Sequence, residues 1–142
     1  MDDSIHGTWK LVSATRLFVA TGEKTDAFGK RPSGYLTYMP DGRMSAILTK
    51  EGRLKLADMS KASDHERAEL FSTMIAYAGT FSRRGDKVTH HVDISWNESW
   101  TGSDQLRNVK LDGDKLYITS DPQPSGIDGR AVIAELQWER LR

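Results

Sequence analysis

Residues 87–100, K-V-T-H-H-V-D-I-S-W-N-E-S-W, hold the side chains of this sequence that are best suited to chemistry. Two of the four histidines and two of the four tryptophans fall in this segment. Its apolar members alternate with polar residues, and this period of two predicts a strand with an inward and an outward face. The predicted inward set is Val88, His90, Val92 and Ile94. His90 is therefore expected to face the interior and His91 to face solvent.

An inward histidine has two interpretations. Its ring nitrogens must find hydrogen-bond partners when they are removed from water, so His90 could be a neutral, satisfied side chain of the core. Alternatively, it anchors a polar group of a bound ligand or transfers a proton, for which a pKa near neutrality is suitable. Both interpretations stay open, and His90 is the first candidate catalytic residue.

Arg107 is the second candidate catalytic residue. It alternates with Val109 and Leu111 and so shares their face of a strand. If that face is inward, the guanidinium could bind a carboxylate or an enolate, because a buried arginine needs an anionic partner. A solvated arginine near the start of the strand is the alternative.

Aromatic residues with a polar edge complete the ligand-binding candidates, which are Tyr38, Tyr77, His90, Trp96, Trp100 and Arg107. Such rings commonly line ligand pockets because they combine apolar area with a hydrogen-bonding group. Trp100 and residues 97–99 are expected at the mouth of the pocket, with Glu98 as the nearest acid. Packing in a core would explain each ring equally well.

Metal, cofactor and nucleophilic chemistry are not predicted. His90 and His91 point to opposite sides of a strand and cannot bind one metal ion together, and the chain has no cysteine. The sequence contains no H-x-H, H-E-x-x-H or G-x-S-x-G motif. The glycines of residues 126–129 lack the strand and helix that flank a phosphate-binding loop. We therefore expect neither a metal nor a cofactor.

Strands delimited by turn signals must position these candidates. Pro40-Asp41-Gly42 separates residues 34–39 from residues 43–49 and predicts a tight hairpin, since proline fixes φ and glycine accepts a positive φ. A long first strand is predicted at residues 7–18. One of its faces carries Trp9, Leu11, Ser13, Thr15 and Leu17. The further predicted strands are 77–84, 87–95, 105–111, 115–120 and 131–141, with a Pro/Gly loop at 121–130.

One helix is predicted, at about residues 64–76. Ser63 and Glu66 form a capping box, in which the serine accepts from the backbone N–H three residues on and the glutamate reaches back. Apolar residues at helical spacing form a stripe: Leu70, Phe71, Met74, Ile75 and Ala78. This stripe is expected to pack against the rest of the protein, although a helix over an open end could also act as a lid.

Short strands with tight turns predict a single all-β domain, residues 1–142. In it, a meandering antiparallel sheet closes into an up-and-down barrel of about 8–10 strands. Closure removes the free edges of the sheet. The length of 142 residues suits one domain with a core of its own.

Composition limits the partners. The 20 basic and 20 acidic residues balance and are interspersed, which argues against nucleic-acid binding. No stretch approaches the roughly 18 apolar residues of a membrane-spanning helix. The first residues lack the basic and apolar regions of a signal peptide. We therefore expect a cytoplasmic protein that binds neither nucleic acid nor membrane.

Several motifs resemble those of one family. Gly7-Thr8-Trp9 opens the first strand, as the Gly-x-Trp signature does in lipocalins and other calycin barrels. More specific are F-G-x-x-P-x-G-Y-L-x-Y-x-P-D-G-x-M at residues 28–44, Y-x-G-T-F at 77–81 and V-T-H-H-V at 88–92. Together these motifs, spread over almost the whole chain, resemble the bacterial and fungal lipocalin-like domain family.

The resemblance implies an up-and-down calycin-type barrel around a small-molecule cavity, and it implies no particular reaction. It also implies that Arg140, near the end of the last strand, stacks on Trp9 in a cation–π contact worth about 1 kcal/mol. The predicted helix lies midway along the chain, whereas secreted lipocalins have theirs before the last strand.

Three functional hypotheses follow. The leading one is a protein that binds a small, mainly apolar organic ligand in the barrel interior. The alternative is a cofactor-free cyclase, isomerase or dehydratase that acts on a hydrophobic or polyketide-like substrate. In that enzyme His90 would be the acid/base, and Arg107 or a tyrosine would stabilise negative charge. Self-association, as a homodimer, is the third.

Overall fold

The computed structural model describes residues 4–124 and 129–142. The predicted loop at 121–130 and the glycine segment 126–129 lie partly outside these residues. The described strands are β1 (Gly7–Phe18), β2 (Lys24–Asp26), β3 (Ser33–Tyr38), β4 (Arg43–Thr49), β5 (Met74–Arg84), β6 (Lys87–Ser95), β7 (Asp104–Asp112), β8 (Lys115–Thr119), β9 (Gln123–Pro124) and β10 (Ala131–Arg140). The α-helix α1 is Asp64–Ser72, and Met59–Lys61 and Glu98–Trp100 are short 3₁₀ turns.

The strands form one antiparallel sheet with the order β2-β1-β3-β4-β5-β6-β7-β8-β10-β9. A further pairing of β1 with β10, from Trp9↔Arg140 to Phe18↔Val132, closes the sheet on itself. Eight strands thus make a closed barrel, and the short β2 and β9 extend the sheet beside β1 and β10. The predicted all-β, up-and-down barrel is confirmed.

The β3–β4 hairpin forms where Pro40-Asp41-Gly42 predicts it. The backbone N–H of Met39 donates to the carbonyl of Arg43 at 2.8 Å, which closes the turn. Gly42 has a φ of 89°, a left-handed conformation that glycine adopts without steric cost. The two strands therefore alternate in register and present one buried set of residues to the interior: Gly34, Leu36, Tyr38, Met44, Ala46 and Leu48.

The barrel end at which β1 begins and β10 ends is filled by side chains. Trp9 is fully buried, and the guanidinium carbon of Arg140 lies 4.2 Å from the centre of its ring. The predicted cation–π contact is therefore confirmed. Arg140 also donates to the backbone carbonyls of His6, at 2.7 Å, and Ser4, at 2.5 Å. It thereby holds the N-terminal segment across this end of the barrel.

Replacement of Arg140 by lysine is expected to lower the free energy of unfolding by about 1 kcal/mol. Lysine keeps the charge, but its single ammonium group cannot donate to two carbonyls while lying flat on Trp9. Urea unfolding followed by tryptophan fluorescence measures the change. Arg43→Lys, at an exposed position, is the matched control. Equal stability of Arg140→Lys and the wild type would contradict this role of the guanidinium.

A β-bulge in β1 changes which of its residues lie on the same face of the strand. The pairing with β10 shifts between Leu11 and Ser13, so one extra residue enters the strand and the faces exchange beyond it. The prediction that Trp9 and Leu11 share a face with Ser13, Thr15 and Leu17 is therefore wrong. The inward positions after the bulge are instead Ala14, Arg16 and Phe18.

A second bulge lies between β5 and β6. Val92 pairs with Gly79 and Ile94 pairs with Ala78, which leaves Asp93 as the extra residue. Ile94 is consequently 67% exposed, and the prediction that it faces inward is wrong. The residues before the bulge are buried as predicted: Val88, His90 and Val92.

The helix is shorter than predicted. Its capping box is present, because Ser63 Oγ accepts from the N–H of Glu66 at 3.1 Å and Glu66 Oε1 accepts from the N–H of Ser63 at 2.8 Å. The helix ends at Ser72, however, so the prediction that it extends to residue 76 is wrong. Three residues of the predicted stripe belong to β5 instead: Met74, Ile75 and Ala78.

The apolar run after residue 73 fits both periods, and strand pairing decides between them. β5 pairs with β4 on one side and with β6 on the other, whereas one more helical turn would leave the facing edges of β4 and β6 unpaired at this level. The remaining helix buries none of its residues, and Phe71 is 51% exposed, so the predicted packing stripe is not formed. No described helix is long and apolar enough to cross a membrane.

Candidate functional site

A cavity of about 590 Å³ occupies the barrel interior and reaches the surface at one end. That end is formed by the last residues of β1, β4 and β6 and the first residues of β5, β7 and β10, opposite the end that Arg140 covers. The volume suits a small organic molecule. Apolar side chains from β3, β4, β8 and β10 form most of the deep wall: Leu36, Ala46, Leu48, Ile118, Leu136 and Trp138.

His90 and two tyrosines form the polar centre of the interior. His90 is 2% exposed, and both of its ring nitrogens are hydrogen-bonded. Nε2 lies 2.6 Å from the hydroxyl oxygen of Tyr38, on β3, and Nδ1 lies 2.7 Å from that of Tyr77, on β5. The three side chains meet because each occupies an inward position of its strand. We call Tyr38, His90 and Tyr77 the Tyr–His–Tyr cluster.

Burial keeps the whole cluster uncharged at neutral pH. Removal from water, with a further contribution from the positive charge of Arg107, lowers the pKa of His90 to about 3. Burial raises the pKa of Tyr77 to about 12, and it raises the pKa of Tyr38 well above its ordinary value. The imidazole is therefore neutral and both hydroxyls keep their protons.

Arg107 lies on the inward side of β7, opposite Val88 of β6, and lines the cavity. Arg107 was predicted either to face inward or to be solvated near the start of the strand, and in the structure it faces inward. Its guanidinium donates to the carbonyl of Leu106 at 2.7 Å and to Oε1 of Gln105 at 3.2 Å. Burial lowers the pKa of Arg107, while the neighbouring tyrosines raise it. Arginine nevertheless stays charged at neutral pH.

An aromatic rim, made of Phe71, Trp96 and Trp100, borders the mouth of the cavity. The rings of Trp96 and Trp100 meet edge-on with centres 5.1 Å apart, and Trp96 Nε1 donates to the carbonyl of Phe71 at 3.2 Å. Trp100 also contacts Tyr77, at 5.5 Å between ring centres. The rim is thus continuous with the Tyr–His–Tyr cluster below it.

The structure brings five of the six predicted site residues to the cavity wall: Tyr77, His90, Trp96, Trp100 and Arg107. Tyr38 lies behind His90 and is fully buried, so it can act on a bound molecule only through the imidazole. The part that these residues play in binding stays a prediction. Asn97 is at the mouth as expected, whereas Glu98 is exposed and does not line the cavity.

Gln105 and Arg16 are among the polar lining residues that were not predicted. Gln105 lies directly opposite His90 in the β6–β7 ladder, and its alternation with Arg107 is a signal that would have found it. Arg16 lines the cavity because the bulge in β1 turns it inward. No residue type at that bulge marks its position in the sequence, so periodicity could not have found Arg16.

The outward residues of the same segment lie apart from the cavity. His91 faces solvent, where its Nδ1 contacts a carboxylate oxygen of Asp104, and Asp93 is exposed. Among the described residues, no group of three or more histidine, aspartate or glutamate side chains is arranged to hold a metal ion.

Comparison with known proteins identifies the family. The sequence model of the lipocalin-like domain family matches residues 6–141, which is nearly the whole chain. A comparison with curated proteins found no match. The matched region contains the closed barrel, the stacked Trp9 and Arg140, and the cavity. The chain belongs to the lipocalin-like domain family.

Proposed function

We propose that this protein binds a small, mainly apolar organic molecule inside its barrel. The observation that carries the proposal is the cavity of about 590 Å³ whose walls are side chains of paired strands. Rigid strands position a binding site without a large ordering cost when the ligand enters. The ligand is expected to leave most of its surface against carbon atoms, since such sites usually bury most of a small molecule.

The distribution of polar groups supports an apolar ligand body. Tyr77, His90, Gln105 and Arg107 come from the neighbouring strands β5, β6 and β7, so these four polar side chains lie together on one side of the interior, while Arg16 lines the cavity from β1. The strands across the barrel, β3 and β10, contribute an aliphatic wall that includes Leu36, Val132 and Leu136. A guest with one polar end and an apolar body matches this arrangement.

A filled cavity tests the proposal. Ala46→Phe is expected to weaken binding of the neutral fluorescent probe N-phenylnaphthylamine at least about tenfold, because the added ring occupies part of the cavity. Ala46 is 6% exposed and lines the cavity. Fluorescence titration measures the affinity. Ser45→Phe, the adjacent outward position of β4, introduces the same ring outside the barrel and serves as the control.

Equal probe affinity of Ala46→Phe and Ser45→Phe would show that the probe binds elsewhere and would overturn binding in the interior. Thermal unfolding of both variants establishes that they are folded. Native mass spectrometry of the wild type, followed by solvent extraction, then identifies any molecule that remains bound through purification.

A cofactor-free enzyme is the second candidate. It is favoured by the proximity of Tyr77 and Arg107 at the cavity, because a hydroxyl and a guanidinium together can stabilise an enolate. A pKa of about 3 makes His90 poorly suited to act as the acid or base at neutral pH. If His90→Gln still binds a compound that the wild type converts but no longer converts it, the enzyme is favoured. If His90→Gln retains binding and no bound compound is converted, a carrier is favoured. His91→Gln, which faces solvent, is the control.

The cellular setting belongs to the same proposal. We infer a cytoplasmic protein whose partner is a small hydrophobic ligand rather than nucleic acid or membrane, because the charges are balanced and interspersed along the sequence. Self-association as a homodimer is compatible with ligand binding in the interior, and sedimentation analysis would measure it.

A further inference from the structure

The burial of the Tyr–His–Tyr cluster determines where its protons lie. Neutral His90 has one N–H donor and one acceptor nitrogen, so one tyrosine donates to the ring and the other accepts from it. Tyr38 is fully buried, and His90 Nε2 is the hydrogen-bond partner of its hydroxyl within the described residues. A buried hydroxyl proton without an acceptor is unfavourable. Tyr38 therefore donates to Nε2.

The direction of the hydrogen bond between His90 and Tyr77 follows from this assignment. With Nε2 as the acceptor, the imidazole proton is on Nδ1, and this N–H donates to the hydroxyl oxygen of Tyr77 at 2.7 Å. The hydroxyl proton of Tyr77 is then not used within the cluster. Because Tyr77 lines the cavity, this proton is available to an acceptor atom of the molecule that occupies it.

The charge of the cavity wall indicates which acceptor is favoured. The charged side chains that line it are Arg16 and Arg107, and the described lining residues include no aspartate or glutamate. The hydrogen bonds of Arg107 go to a backbone carbonyl and to the amide of Gln105, which are both neutral. A partly buried cation without an anionic partner is unfavourable, and a negatively charged group in the cavity would offset this.

We propose that the barrel selects amphipathic organic anions, in which an oxygen of the acidic head accepts a hydrogen bond from Tyr77 and is paired in charge with Arg107. This inference rests on the proposed binding of an apolar molecule in the interior and adds the chemical class of its head group. A carboxylate or an enolate attached to an apolar body fits it.

The proton assignment can be tested without a ligand. Nitrogen NMR of the wild-type protein with labelled histidine reports which ring nitrogen of His90 carries the proton, and His90→Gln identifies its signals. We expect protonated Nδ1 and unprotonated Nε2 at neutral pH. Protonated Nε2 would reverse every hydrogen bond of the cluster and overturn the inference.

Head-group selection is tested with three naphthalenes substituted at the same position: the carboxylate, the neutral methyl ketone and the ethyl hydrocarbon. They share one apolar body and differ only in the oxygen group. Competition against N-phenylnaphthylamine measures each affinity. The wild type is expected to bind the carboxylate most tightly, the ketone less tightly and the hydrocarbon least.

Two variants separate the contributions to head-group binding. Tyr77→Phe removes the hydroxyl and keeps the ring, so affinity for both the carboxylate and the ketone should fall about tenfold, while affinity for the hydrocarbon is unchanged. Arg107→Gln should weaken only the carboxylate. Tyr35→Phe is the matched control, because Tyr35 is 50% exposed on the outer face of β3.

The outcomes distinguish this inference from the proposed function. If the three naphthalenes bind equally, or if Tyr77→Phe leaves the affinities for the carboxylate and the ketone unchanged, head-group selection is overturned while binding of an apolar molecule stands. If none of the three competes with the probe, head-group selection is overturned, and binding in the interior is overturned as well if the probe affinities of Ala46→Phe and Ser45→Phe are equal. Hydrocarbon binding to Tyr77→Phe also demonstrates that this variant retains a folded barrel.

Discussion

Gly79→Ala is expected to lower the free energy of unfolding by about 3 kcal/mol or more. A Cβ atom at this position would lie 1.8 Å from the carbonyl oxygen of His91 and 3.0 Å from the backbone nitrogen of Asp93. Both atoms belong to the bulged segment of β6, which cannot move away without losing its pairing with β5. Urea unfolding measures the loss.

Gly113→Ala is the matched control for this substitution. Gly113 has a φ of 59°, but nothing lies within 4 Å of its added Cβ atom, so only the cost of a left-handed alanine remains, about 1 kcal/mol. A Gly79→Ala protein as stable as Gly113→Ala would contradict the close approach of the two strands. The bulge lies along the β5–β6 ladder between Tyr77 and His90. If Gly79→Ala folds with β6 displaced from β5, the hydrogen bonds of the Tyr–His–Tyr cluster should therefore also be perturbed.

The stability of the wild-type protein is expected to fall by about 2 kcal/mol between about pH 7.5 and about pH 5 through His90 alone. The pKa of His90 is about 3 in the folded protein, and its ordinary value is 6.5. Between these values the unfolded chain binds a proton at this residue and the folded protein does not. The stabilisation is therefore complete above about pH 6.5 and is lost progressively as the pH falls towards 3.

His90→Gln isolates this effect, since glutamine can both donate and accept between the two tyrosines but does not titrate. The other histidines and the carboxylates are common to both proteins and cancel in the comparison. Denaturant unfolding at the two pH values should give a loss in the wild type that exceeds that of His90→Gln by about 2 kcal/mol. Identical pH dependence of the two proteins would show that His90 titrates normally in the fold.

The inward position of His90 was predictable because the face of a strand is a local property of the sequence. The partners of His90 were not, since Tyr38 and Tyr77 are 52 and 13 residues away and reach it from other strands. Periodicity indicates which side chains enter the interior. It does not indicate which of them meet across a barrel, because that depends on the closure and stagger of the whole sheet.

Bulges account for the errors in the predicted faces of the strands. One extra residue exchanges the two faces of a strand, which turned Arg16 into the cavity and Ile94 out to solvent. Gly79 is a partial signal for the second bulge, since glycine within a strand often marks close approach of another backbone. The hairpin at Pro40-Asp41-Gly42 and the start of the helix at Ser63 were correct because both are determined by adjacent residues.

The opening of the cavity at the aromatic rim would separate how long the proposed ligand stays from how tightly it is held. The barrel wall is a continuous ladder of hydrogen bonds, so the proposed ligand would exchange past the aromatic rim and not between strands. A rim that only obstructs passage slows arrival and departure by the same factor and leaves the equilibrium constant unchanged. Since α1 buries none of its residues, movement of its last turn, which contains Phe71, would cost the barrel little stability. The residence time of the proposed ligand would therefore depend on the rim, and its affinity on the inner wall.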